Sequence, residues 1–167
     1  MTAKRITRLA LFTAAALILN LIESLLPPLL PFAPGARMGL SNLVTLVALA
    51  LLGYADAYIV LIVRCLLGSI FGGNVTALIY SLSAGLVSLT VQLLLYRFAL
   101  RFVSVVGISL AGAAVHNCVQ LAVASIIVQT NLIAMLPLMM AASAVAGLAV
   151  GIAAFYLIKY LPIRRRV

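Results

Sequence analysis

Two carboxylates, Glu23 and Asp56, one imidazole, His116, and two thiols, Cys65 and Cys118, hold nearly all the acid–base, nucleophilic and metal-binding chemistry of this 167-residue chain. Their spacing excludes more than it offers. Magnesium-assisted work on a diphosphate needs clustered oxygen ligands, and neither acid has a second acid near it in sequence. There is no phosphate-cradling P-loop, no Gly-x-Ser-x-Gly elbow and no Cys/His metal spacing. The chain is therefore expected to hold no metal, to need no cofactor and not to be an enzyme. The thiols fall inside apolar stretches, where cysteine packs as a small hydrophobe. What remains are groups suited to binding: Asn20 and Glu23; Arg37 and Asn42; Arg64; Tyr80, Ser81 and Ser83. His116, Asn117 and Gln120 join them, gathered by three- and four-residue spacing on one side of a helix. One carboxylate or imidazole also suffices to carry a proton, so Glu23 and His116 keep that reading too.

The elements that must position these residues are membrane helices. Hydrophobic residues make up 66% and charged residues 8%, and mean hydropathy is +1.33. Such a chain cannot cover itself with polar surface, and its apolar runs are long enough to cross a bilayer. We expect an all-α, polytopic, single integral membrane domain of six transmembrane helices, at about 8–26, 39–53, 55–71, 74–96, 107–129 and 133–161. The runs are too continuously apolar for barrel strands, and the first reads as a retained helix rather than a cleaved signal. Pro27, Pro28, Pro31, Pro34 and Gly35 form the longest connection; Gly53 and Gly72-Gly73-Asn74 mark tight turns. The second span is short for a full crossing. Small residues at Ala10-x-x-x-Ala14, Gly107 to Ala114 and Ala141 to Gly151 allow close helix packing.

The formal charge of +9 is distributed as a topology signal, not as a nucleic-acid footprint. Lys4, Arg5 and Arg8 precede the first span, Arg97 and Arg101 fall in a break, and Lys159, Arg164, Arg165 and Arg166 close the chain. Six crossings with both termini cytoplasmic put all nine on the cytoplasmic side, against anionic lipid headgroups of the cell membrane. Asp56, just after Gly53, reads as a helix N-cap. In this orientation the candidate polar residues lie from mid-depth to the outer surface, and the inner half is comparatively bare except for Gln92. Ionisable groups in a bilayer are costly and mark either a site or a paired contact. Glu23 thus reads as a ligand-binding group or as a partner of Arg64 or Arg37. His116, Asn117 and Gln120 read as pocket lining or as interhelical hydrogen bonds. Taken together, they describe a pocket that opens outward and suits a small polar or anionic molecule.

Pro34-Gly35-Ala36-Arg37-Met38-Gly39-Leu40-Ser41-Asn42, then Arg64-Cys65-Leu66-Leu67-Gly68-Ser69, then His116-Asn117-Cys118-Val119-Gln120 resemble, in order, the Gx transporter family. That family is also labelled heptaprenyl diphosphate synthase component I. It is similar in turn to the substrate-binding S components of energy-coupling-factor (ECF) vitamin transporters. The resemblance implies a six-helix S-component-like bundle that captures a vitamin or cofactor-like molecule near the outer face. It also implies partners: a transmembrane coupling subunit docked on Ala10 and Ala14 of an Ala-x-x-x-Ala motif, and two ABC ATPases. The synthase label raises another expectation, a non-catalytic membrane accessory of a polyprenyl diphosphate synthase. A stand-alone proton-coupled transporter is the third.

Overall fold

The computed structural model describes residues 3–25, 39–72 and 75–161. Arg37, the proline-rich connection and the C-terminal arginines lie outside these residues. Six α-helices follow in order: α1 (Ala3–Ser24), α2 (Asn42–Leu52), α3 (Tyr54–Gly72), α4 (Val75–Phe98), α5 (Val105–Val128) and α6 (Leu136–Tyr160). A short 3-10 turn, Ile133–Met135, leads into α6, and Pro137 sits in the first turn of α6, where its missing N–H costs nothing. Five of the six are long and apolar enough to cross a membrane. The outer surface carries large apolar side chains, among them Leu11, Ile18, Phe71, Ile126 and Val145. This is the all-α polytopic membrane protein that composition predicts: with lipid outside, the outward face needs no polar cover.

The exception is α2. The expected second span of about 15 residues shrinks to Asn42–Leu52, 11 residues, or roughly 16 Å of helix against a hydrocarbon core of about 30 Å. Every α2 residue except Leu43 is buried. It sits in the centre of the bundle, touching all five other helices. Gly53 alone separates α2 from α3, with φ 102°, a left-handed value that reverses the chain in one residue. Leu46, Leu49, Leu51, Val60 and Leu61 form the middle of the main apolar core.

Each helix buries a face fixed by its neighbours. On α1, Leu9, Phe12, Thr13, Ala16, Asn20 and Glu23 recur at three and four residues and turn inward against α2 and α3. Two contacts set the register of α1 on α3. Arg5 meets Asp56 near the starts of both helices, and the Asn20 amide lies against Gly68 near their ends. The two helices therefore run in the same direction. Asp56 does not cap α3. It lies inside the first turn and accepts from Arg5 Nε at 2.9 Å and Nη2 at 2.5 Å. The reason is that α3 begins at Tyr54, immediately after the reversal, which leaves Asp56 already helical. The antiparallel α4–α5 and α5–α6 pairs complete the bundle. Lys4, Arg5, Arg8, Arg97, Arg101 and Lys159 thus lie at one end, and Arg64 is the single described basic residue away from it.

Candidate functional site

The site is built where α2 stops short. Gly39 precedes the helix with φ +85°, a left-handed conformation that side chains rarely adopt. Its carbonyl accepts the Asn42 amide at 2.9 Å, and its own N–H donates to Glu23 Oε1 at 2.5 Å. A Cβ on Gly39 would meet the Asn42 amide nitrogen at 2.8 Å and the His116 ring at 3.3 Å. Gly39 is therefore the point where α1, the start of α2 and the middle of α5 meet.

Arg64 fills the space beside it from halfway along α3. Its side chain is 2% exposed, the largest fully buried side chain among the described residues. Nη1 donates to Ser41 Oγ, and Nη2 donates to Asn42 Oδ1 at 3.0 Å. Ser41, at the head of α2, makes no capping bond to the helix, so its hydroxyl serves the guanidinium instead. The N-terminal end of a helix favours negative charge. A buried arginine and a helix start at the same point together make a place suited to an anionic or carbonyl group.

α5 supplies the opposite wall. Gln120 Nε2 lies 3.2 Å from His116 Nε2, one turn along the helix. An amide N–H can only donate, so the imidazole nitrogen accepts and the ring is neutral in this arrangement. His116 Nδ1 is buried, with the Ala84 backbone beside it.

The structure brings together Glu23, Asn42, Arg64, His116 and Gln120, with Asn20 next to Glu23 on the same buried face of α1. It sends others elsewhere. Asn117 turns to α6, donating to Met139 O at 3.2 Å and Ser143 Oγ at 2.8 Å. Tyr80 packs in a separate apolar cluster with Leu121, Ala124, Leu132 and Met139. Ser81 is half-buried and joins no polar cluster, and Ser83 bonds back to Ile79 O of its own helix at 2.6 Å. Arg37 lies outside the described residues. Ser41 was missed, although its place beside Asn42 at the head of a short apolar helix was a usable signal. Ala10 and Ala14 are exposed on the outer side of α1, opposite the face that carries Asn20 and Glu23.

Residues 12–157 match the family described as heptaprenyl diphosphate synthase component I. No curated protein and no solved structure matches the chain. With most of its length covered, the chain belongs to that family.

Proposed function

We propose that this member of the family is a substrate-capture subunit, working as the S component of an ECF-type ABC importer. The observation that carries the reading is the convergence of Arg64, Asn42, Ser41, Glu23, Gly39 and His116 at the head of a half-length helix. A charged side chain costs about 2.5–3.5 kcal/mol in a membrane interior, and polar groups gathered around a helix start are the arrangement that broken helices use to hold anionic ligands. The captured molecule is a small vitamin or cofactor-like compound with an anionic or carbonyl group for Arg64. The chain carries no nucleotide motif and does no chemistry of its own; energy comes from two partner ATPases through a coupling subunit seated on the Ala10/Ala14 face. Both termini are cytoplasmic, in keeping with the basic residues gathered at one end of the bundle.

The test is a tagged pull-down from native membranes in mild detergent, read by mass spectrometry. Two ABC-type ATPases and a membrane coupling protein are the expected companions. The family description favours a second reading, a membrane accessory of a polyprenyl diphosphate synthase. Recovery of a soluble Asp-rich synthase subunit in their place would establish it. Uptake by the purified protein alone, abolished when a proton gradient is collapsed, would replace both with a secondary transporter.

A further inference from the structure

Below the Arg64 cluster the bundle holds a small cavity between α2, α4, α5 and α6. It is lined by Gly39, Asn42, Gln92, Ser109, Gly147 and Val150, among others. The space open to the centre of a water molecule is about 10 Å³, room for about one small hydrogen-bonding group. Gly39 and Asn42 belong both to this cavity and to the site above, so the two are adjacent.

The polar groups nearby differ in what they have left to bond. Ser88 Oγ donates to Gly112 O at 2.8 Å, and Ser109 Oγ donates to Gly147 O at 2.9 Å. Both hydroxyls have a helix carbonyl. Gln92, from α4, is 2% exposed, lines the cavity, and receives no hydrogen bond to its amide from any described residue. Its side chain lies directly over Gly112, where a Cβ would collide with the amide group. A glycine on α5 thus makes room for a glutamine on α4, and the glutamine faces a hole. Burying an amide without partners costs about 1–3 kcal/mol. A leucine or methionine at this position would avoid that cost.

We infer that this cavity is the deep subsite of the captured molecule, and that Gln92 binds one neutral hydrogen-bonding group of it there: a hydroxyl, carbonyl or amide. This rests on the substrate-capture reading. The described lining carries no charged side chain, so the group that reaches Gln92 is uncharged, and any anionic group stays with Arg64. The ligand is therefore a compound with two polar ends, one anionic or carbonyl, the other neutral and narrow.

Full-length protein in lipid nanodiscs is equilibrated with a small-molecule extract of its source cells, washed and denatured, and the released molecules are identified by mass spectrometry. Wild-type protein is expected to release a compound bearing such a neutral group. Gln92→Met, near-isosteric and without hydrogen-bonding capacity, is expected to release at least tenfold less of it at an unchanged unfolding temperature. Equal release from the two leaves capture standing and overturns the subsite. Release of a compound lacking any hydroxyl, carbonyl or amide also overturns the subsite. Release of nothing from wild-type protein overturns capture itself, and the subsite with it. Where Gln92→Met does not fold, Val150→Leu decides in its place, because it narrows the cavity without touching a polar group. Reduced release supports the subsite and unchanged release overturns it.

Discussion

The α4–α5–α6 seam and the junction of α1, α2 and α3 both bury polar side chains, but they satisfy them differently. Along the seam the groups are neutral and mostly paired with the carbonyl of a neighbouring helix. Ser88 bonds to Gly112, Ser109 to Gly147, and Asn117 to Met139 and Ser143. Such bonds between membrane helices are worth about 0.6 kcal/mol on average. They hold backbones together where glycine permits close approach: a Cβ on Gly147 would lie 3.0 Å from the Leu110 Cα. At the junction a guanidinium and a carboxylate are buried, and the groups around them come from chain segments far apart in sequence, Glu23 with Gly39 and Arg64 with Ser41 and Asn42. A charge at the centre of a membrane helix costs about 2.5–3.5 kcal/mol by insertion scales. Packing alone gives no reason to carry that cost. On the substrate-capture reading, the difference teaches that burial of polar groups in this bundle has two purposes, adhesion in one place and recognition in the other.

Substitutions can break that contrast. The largest effect is expected from Arg64→Ala, which removes two hydrogen bonds from a charged donor and leaves a cavity at the head of α2. We expect a loss of about 3 kcal/mol or more in stability, measured by thermal unfolding in detergent, together with loss of ligand release. Full ligand release from a folded Arg64→Ala protein would move recognition away from the junction. Gly39→Ala comes next. It forces a left-handed φ on a side chain and drives a Cβ to 2.8 Å from the Asn42 amide, an expected cost of about 1–3 kcal/mol. Circular-dichroism melts check it, and a neutral result would mean that the Glu23–Gly39 contact is not part of the site's construction.

The contrast was partly legible in the sequence. The shortness of the second span was visible in its length, and Gly39 and Gly53 flanked it. That its head would lie inside the bundle against Arg64 depends on a contact between residues more than 20 positions apart, which no local pattern carries. Spacing groups His116 with Asn117, yet adjacent residues on a helix point about 100° apart, and Asn117 reaches α6 instead. Tyr80 and Ser81 illustrate another limit. α4 is apolar nearly all round, so periodicity names no inward face, and only packing sends Tyr80 to Leu121 and Met139. Gln92 stands out in a comparatively bare inner half, but its cavity is visible only with Gly112 facing it.

Within the seam, Ser109→Ala removes one hydroxyl-to-carbonyl bond and should cost about 0.5–1.5 kcal/mol, with ligand release unchanged if Ser109 acts as glue. A drop in release without a drop in stability would transfer Ser109 from adhesion to recognition, beside Gln92 in the same cavity.

The smallest effect belongs to the third polar contact, Arg5 with Asp56, at the basic end of the bundle. Its geometry is as good as that of Arg64, with two guanidinium nitrogens on one carboxylate oxygen. Its setting is not: the Arg5 side chain is 39% exposed, whereas Arg64 is 2% exposed. Asp56 is buried, but an ion pair with one partner in water contributes little and is screened by salt. Arg5→Gln and Asp56→Asn should therefore shift the unfolding midpoint least of all, and the shift should vanish as salt is raised. α1 remains held at its other end by Glu23 on Gly39 and by Asn20 against Gly68. A salt-insensitive loss as large as that of Arg64→Ala would break the comparison, because α1 would then hang on its basic end and the junction would be only its second support.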